Sequence, residues 1–434
     1  MNSFLIRAED KNQWETRTPI TPTDLKEILA ETNATAYIQH SDKRRFSLDQ
    51  FIEAGATAVG IEHPAKVIFG IKEIPVEKIE SNKVYVYFSH TVKGQSVNMP
   101  ALKKIVDSGS TLIDYEKITD ENGRRLIYFG RYAGDAGAVD ILWLLGEYWE
   151  NQGILNPFTA IKQAMHYDSV KCAQEKLDEV GRRIKTEGLP QQISPLVIGI
   201  MGYGNVSGGA QAIFDCLPVE RIAPEALASR VSNGELDNRC IYLSIFKEHH
   251  LVERADDAAF NLQEYYNNPG KYVSRFSAYL PYLNIIVNAL YWDKRYPKFV
   301  TWDLLKTLFT QNPDHRLYGI ADITCDVNGA IECNVKVTDS GSPAYLCNPI
   351  DRTITNGHRG KGIVILAVDN LPCEFSYDAS VFFSNQFKRF APNILSSNFS
   401  EPLKLSGLVP DIQKAVIVYN GQLTENYTYL NQYL

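Results

Sequence analysis

Two residues with complementary proton chemistry stand at matching places in the chain. Lys72 follows the apolar run Val67 to Ile71, and His90 follows Val84 to Phe88. Read as consecutive strands of a parallel sheet, both runs end at the carboxyl edge, where open α/β folds take their ligands. A partly buried lysine beside other cations titrates low, and a histidine titrates near neutrality. Together they suit general acid–base work. Arg7, Lys11 and Arg17 cluster near the N-terminus, and Arg124, Arg125 and Arg131 cluster after the run Thr111 to Asp114. Guanidinium forks bind carboxylates in bidentate fashion, so such clusters fit a substrate with several carboxylates, although a charge run is more often a solvated face.

A second chemical signal lies in Gly202-Tyr-Gly204-Asn205-Val206-Ser-Gly208-Gly209-Ala210, directly after the uninterrupted apolar run Leu196 to Met201 and before the amphipathic run Ala210 to Cys216. Glycines at a strand end let the backbone approach a pyrophosphate, and a helix N-terminus then offers unpaired N–H groups to it. The spacing departs from Gly-x-Gly-x-x-Gly, because Gly208 comes one residue late. The next strand of this domain ends at Phe246-Lys247-Glu248. Glu248 there would suit the ribose of NAD, whereas Lys247 or Arg254 would suit the 2′-phosphate of NADP. The residues leave that choice open, with a lean to NADPH.

The elements that must position these groups alternate between β and α character. Phe4 to Ala8, Ala34 to Ile38, Val67 to Ile71, Val84 to Phe88 and Thr111 to Asp114 read as strands. Thr21 with Pro22 opens a helix, Ser47 opens another, and Met99 to Ser108 is a third. Strands separated by short helices predict βαβ units and a largely parallel sheet. Residues 138–186 are helical, and a new α/β unit starts at Leu196, with further strands at Cys240 to Phe246, Leu283 to Ala289, Tyr318 to Thr324 and Gly362 to Val368. A helix over Ser376 to Ala391 and strands at Ala415 to Tyr419 and Tyr427 to Leu430 follow, too few residues for a domain of their own. The expected division is 1–137 plus about 375–434 as a substrate or catalytic domain, and 138–374 as a dinucleotide-binding domain with linking helices.

Composition narrows the class. The 434 residues carry 44 Lys and Arg against 51 Asp and Glu, a net charge of −7, with 44% apolar residues. Such a chain folds, and it lacks the basic block expected of a nucleic-acid or anionic-membrane partner. No apolar run reaches the ~18–20 residues of a membrane span. The first ten residues hold no apolar signal-peptide core, so a cytoplasmic protein is expected. The seven scattered cysteines form no Cys-x-x-Cys, so no disulfide scaffold and no metal site is expected.

Taken together, the motifs resemble a known family. Arg7-Ala-Glu9-Asp-Lys11 and Trp14-Glu15-Thr-Arg17-Thr-Pro19 resemble the opening of the alanine dehydrogenase and transhydrogenase superfamily. Gly70-Ile-Lys72-Glu73, Phe88-Ser-His90-Thr-Val-Lys93-Gly-Gln95, Asp114-Tyr-Glu116 and Phe129-Gly-Arg131 are similar to lysine–2-oxoglutarate reductase, the lysine-forming saccharopine dehydrogenase family. So are Gly202 to Gln211, Ala321-Asp322 and Val368-Asp369-Asn370.

The resemblance implies two Rossmann-like domains with an active site in the interdomain cleft. It implies acid–base roles for Lys72 and His90, and substrate-carboxylate contacts for Lys11, Arg17, Lys93 and Arg131. Glu73 and Glu116 would tune the pair. Gly202, Gly204, Asn205 and Val206 would cradle the pyrophosphate, and Asp322 would face the nicotinamide. Ile245 falls where NAD-using fungal members carry a ribose-binding aspartate, which favours NADP(H) over NAD(H). The implied partners are L-lysine, 2-oxoglutarate and saccharopine, with oligomeric state open. Two rivals stand beside this reading: an alanine-dehydrogenase-like enzyme, and a catalytically idle nucleotide-sensing module.

Overall fold

The structure, a computed structural model, describes residues 2–434. It divides into two compact units, the first running to Phe129 and completed by Ser376–Leu434, the second Gly130–Phe375. The boundary therefore falls earlier than the sequence reading placed it. Residues 130–137, expected in the first domain, are the opening turns of the helix Gly130–Asn151 in the second unit.

In the first unit an eight-stranded sheet runs in the spatial order Gln422–Leu423, Val416–Tyr419, Thr111–Asp114, Val84–Tyr87, Val67–Phe69, Phe4–Ile6, Ala36–Gln39, Thr57–Val59. The six strands of the N-terminal segment pair in parallel, and the C-terminal hairpin adds two antiparallel ones. The four central strands are buried along their whole length, which explains their unbroken apolar runs. Thr21 caps the helix Pro22–Thr32 by accepting from the Asp24 N–H, with Pro22 at the first helical position. The returning helix Ser376–Phe387 brings Phe383 and Phe387 against Phe69, Phe88, Tyr115 and Phe129. The expected strand at Tyr427–Leu430 is instead part of the 3-10 helix Glu425–Tyr433. Its aromatic residues alternate in sequence, but only Tyr427 and Leu430 are buried, a spacing of three that suits that helix.

The second unit holds another eight-stranded sheet. Its parallel part runs Val219–Arg221, Ile241–Phe246, Leu196–Met201, Ile285–Asn288, Gly319–Asp322, Ile363–Leu366, followed by the antiparallel Ala344–Cys347 and Ile354–Asn356. The strand that follows the glycine loop in the chain, Val219–Arg221, lies at the sheet edge. Ile241–Phe246 takes the place beside Leu196–Met201, so the strand end expected to read a ribose comes later in the chain than the usual ~20 residues. The helices Gly130–Asn151, Val170–Glu187 and Asn205–Phe214 contribute to one core of this unit, and Phe246, Phe276, Tyr279 and Trp302 contribute to a second.

Candidate active site

In the first sheet the chain reverses its winding direction between Phe4–Ile6 and Val67–Phe69, neighbours in space whose successors lie on opposite sides. Such a switch point opens a crevice at the carboxyl ends of the strands. The residues that leave those ends are Arg7 to Lys11 on one strand, Lys72 and Glu73 on the next, and His90 on the third. Glu9 ties two of them together: its carboxylate accepts from the backbone N–H of Ile71 at 2.7 Å and of Lys72 at 2.9 Å. Burial raises the Glu9 pKa, with Glu15 adding to it and Arg7, 3.8 Å away, opposing. Arg44 donates to the Arg7 carbonyl at 3.0 Å; burial, aided by the Arg7 cation, brings its guanidinium down to about 10.

Lys72, Glu73 and His90 converge here. The His90 Nδ1 lies 2.6 Å from Glu73 Oε1, and Lys11 Nζ lies 3.7 Å from Glu73 Oε2. Burial acts to raise the Glu73 carboxyl, but the His90 hydrogen bond and the His90, Lys72 and Lys11 cations outweigh it and bring it to about 2. A carboxylate at Nδ1 selects the tautomer with its proton there, leaving Nε2 for exchange. His90 takes a left-handed backbone conformation, φ +49°, rare for a side chain of this kind, and its carbonyl accepts from Asn98 Nδ2 at 3.0 Å. Burial, with the Arg17 cation next in effect, lowers the Lys72 ammonium, against the opposing fields of Glu73 and Glu15.

The carboxylate-binding residues are differently placed. Arg17 is buried, but its fork is engaged by Glu15, with Nε to Oε1 at 2.8 Å and Nη2 to Oε2 at 2.5 Å, and it lies 4.3 Å from the centre of the Phe129 ring. Its nearest carboxylate is thus the protein's own. Glu116 pairs with Arg125, while Lys93 is exposed on the loop after His90. Arg131 belongs to the second unit, where its Nε stands 3.7 Å from Asp135. Sequence reasoning missed Glu9 and Glu15 as members of the cluster. Glu9 lies three residues past the first strand, beside the switch point, a place that shows only once the sheet order is known.

The second unit offers a cradle for a dinucleotide. Gly202 has φ +101°, and a Cβ there would come within 2.9 Å of the Ala289 carbonyl oxygen, so the strand end tolerates only glycine. Gly204 caps the helix Asn205–Phe214 without a side chain, and nothing lies within 4 Å of where its Cβ would be. The helix therefore begins at Asn205, five residues before the expected Ala210. Asn205 and Val206 are its first two residues, and Gly208 and Gly209 lie within it rather than in the loop. Gly209 serves packing: a Cβ would fall 2.1 Å from the Arg131 carbonyl oxygen, and one on Gly134 1.8 Å from that of Val206. Asp322, at the end of the Gly319–Asp322 strand, accepts from Asn288 Nδ2 and Asn334 Nδ2, each at 2.8 Å. Burial raises its carboxyl to about 6 against these bonds. Ile245 pairs with Ile200 inside the strand, so Lys247 and Glu248 hold the strand end. The open helix N-terminus and the two glycines of the turn, Gly202 and Gly204, fit a pyrophosphate, and that end position fits the adenosine ribose.

Glu225, His249 and His250 bring ligand atoms within 4.8 Å of one another. His250 Nδ1 accepts from the Lys247 N–H at 2.9 Å, which puts its proton on Nε2, toward Glu225 at 2.9 Å. With neither nitrogen left to bind a cation, the group reads as a structural clip.

Comparison with known proteins agrees with this architecture. The alanine dehydrogenase/PNT N-terminal domain family matches residues 5–136. An L-alanine dehydrogenase structure superposes with a TM-score of 0.61 at 16% identity, covering 99% of this chain and 98% of its own, which shows the shared two-domain Rossmann-like fold. Residues 5–136 thus carry an alanine dehydrogenase/PNT N-terminal domain. The chain is homologous to the alpha-aminoadipic semialdehyde synthase of Rattus norvegicus, at 32% identity over 98% of this chain and 47% of the relative. It is also homologous to the saccharopine dehydrogenase [NAD(+), L-lysine-forming] of Neurospora crassa, at 26% identity over 91% of this chain and 90% of the relative. The chain thus spans about half the length of the rat relative.

Proposed function

We propose that the chain is a nicotinamide-dependent oxidoreductase of lysine metabolism that reversibly condenses L-lysine with 2-oxoglutarate to saccharopine, with NADP(H) preferred over NAD(H). The observation that carries the proposal is the Lys72–Glu73–His90 group at the switch point, set among Arg7, Lys11 and Arg17. Homology to a lysine-forming saccharopine dehydrogenase supports the substrate class.

The reaction asks for three proton steps. The lysine ε-ammonium must lose a proton to attack the ketone, the carbinolamine must lose its oxygen as water, and the resulting imine must stay protonated. Lys72, with its ammonium destabilised by burial and Arg17, accepts a proton from the incoming amine. His90, its Nδ1 held by Glu73, uses Nε2 to protonate the departing oxygen. The cofactor, when bound, supplies the hydride that reduces the imine carbon. Gly202, Gly204, Asn205 and Val206 would hold its pyrophosphate, Lys247 its 2′-phosphate, and Asp322 would lie toward the nicotinamide. Lys11, Arg17, Lys93 and Arg131 would meet the substrate carboxylates. For Arg17 this requires a substrate carboxylate to replace or share the Glu15 contact, because that fork is already engaged.

Initial rates of reduced-nicotinamide oxidation test the proposal when lysine is compared with ammonia as amine donor and 2-oxoglutarate with pyruvate as acceptor. Turnover confined to lysine with 2-oxoglutarate supports it. Turnover confined to ammonia with pyruvate replaces it with an alanine-dehydrogenase-like reaction.

A further inference from the structure

The ribose-reading corner of the second unit holds two opposed charges. Ile241–Phe246 lies beside Leu196–Met201, and the Gly202 N–H donates to the Phe246 carbonyl at 2.9 Å, so Lys247 and Glu248 emerge next to the glycine turn. A carboxylate at this place accepts from a ribose 2′-hydroxyl and repels a 2′-phosphate; an ammonium does the reverse. Sequence alone leans to the ammonium but does not show why it should prevail.

The side chains around them do. Tyr266 Oη donates to Glu248 Oε1 at 2.5 Å, and Tyr203 Oη, from the middle of the Gly202–Gly204 turn, donates to the same oxygen at 3.3 Å. The Tyr266 phenol is raised far above its ordinary value, by burial first and then by Glu248 itself, so it keeps the proton it donates. Two phenols on one oxygen disperse the carboxylate charge and fix its direction. Lys247 is exposed, its Nζ 5.7 Å from the centre of the Tyr203 ring.

We propose that Tyr266, with Tyr203, clasps Glu248 and so acts as a positioning residue for cofactor choice, leaving Lys247 as the group that meets the 2′-phosphate. The inference rests on the reading of this unit as the dinucleotide-binding one and on its NADP preference. Without the clasp, Glu248 turns toward the ribose and opposes the phosphate.

Equilibrium titration of the full chain with NADPH and with NADH, followed by fluorescence or calorimetry, reads the effect apart from turnover. For Tyr266→Phe the expected result is a loss of NADPH affinity of roughly tenfold or more, the scale of one hydrogen bond to a charged group, with NADH affinity unchanged or improved. Adding Glu248→Gln to Tyr266→Phe restores NADPH binding, because the charge that the clasp restrained is gone. Lys247→Ala weakens NADPH alone. An unchanged affinity ratio in Tyr266→Phe, or an equal loss for both dinucleotides, overturns the clasp while leaving the NADP reading intact. A wild-type chain that binds NADH more tightly, or neither dinucleotide, overturns the underlying reading instead.

Discussion

In the proposed reaction, proton traffic at Lys72 and His90 would be set by neighbours that do not themselves react. Glu73 fixes the imidazole, and Arg17 with burial holds the lysine low. Replacing Lys72 by Met or His90 by Gln should slow turnover by ~10²–10⁴-fold, the usual contribution of a positioned acid or base, with dinucleotide affinity unaltered. Paired rate and binding measurements check this, and near-normal rates in both variants sink the assignment. Glu73 also makes a stability prediction. Its folded pKa of about 2 lies below the ordinary 4.5, so its contribution is full above pH 4.5 and is lost as the pH falls through 2. Glu73→Gln should therefore lose up to roughly 3 kcal/mol at pH 6, the difference shrinking toward pH 2. Denaturant midpoints at the two pH values measure it, and a pH-independent difference contradicts stabilisation through the ionised carboxylate.

At the scale of elements, the helices Gly130–Asn151 and Asn205–Phe214 cross closely enough that Gly134 and Gly209 face the other helix's backbone. Gly209→Ala should destabilise the chain by ~2 kcal/mol or more, since backbone cannot move aside as a side chain can. An unchanged urea midpoint refutes that packing role. Asp140 and Glu374 form a buried carboxyl pair, both raised above their ordinary values by burial, the Glu374 field adding to Asp140. A raised carboxyl keeps its stability at low pH and loses it as pH rises. Asp140→Asn should thus leave the melting temperature nearly unchanged at pH 5 and raise it at pH 8, because asparagine can still accept from the Ala164 N–H. Thermal unfolding at the two pH values checks this, and a lower melting temperature at pH 8 contradicts it.

What the sequence revealed follows the range of each signal. Thr21-Pro22 and Leu196–Met201 were legible because caps and buried parallel strands are local patterns. The strand Thr57–Val59 was missed because it is a short, largely exposed edge strand with no apolar run. The start of the Asn205 helix was missed because Gly208 and Gly209 read as loop, when Gly209 answers to a partner helix far away in sequence. Lys72 and His90 were legible as consecutive strand ends. Glu9 was not, because its partners lie 62 and 63 residues away and meet it only through the sheet order.

On the scale of the whole molecule, a net charge of −7 coexists with a crevice rich in lysine and arginine. That crevice is not a bare cationic surface. Glu9, Asp10, Glu15 and Glu73 stand against Arg7, Lys78, Arg17 and Lys11, so the carboxylates of the proposed substrates would exchange with internal ones rather than simply add to a positive field. Specificity for a substrate pair then comes from geometry more than from net charge. The most direct test of the central claim is the mass of the product formed from L-lysine, 2-oxoglutarate and NADPH deuterated at the transferable hydride. The account predicts one product equal to lysine plus 2-oxoglutarate, less water and plus two hydrogens, with a single deuterium on the former ketone carbon. Oxidation of the cofactor without that product, or no oxidation with this pair while ammonia and pyruvate react, contradicts it.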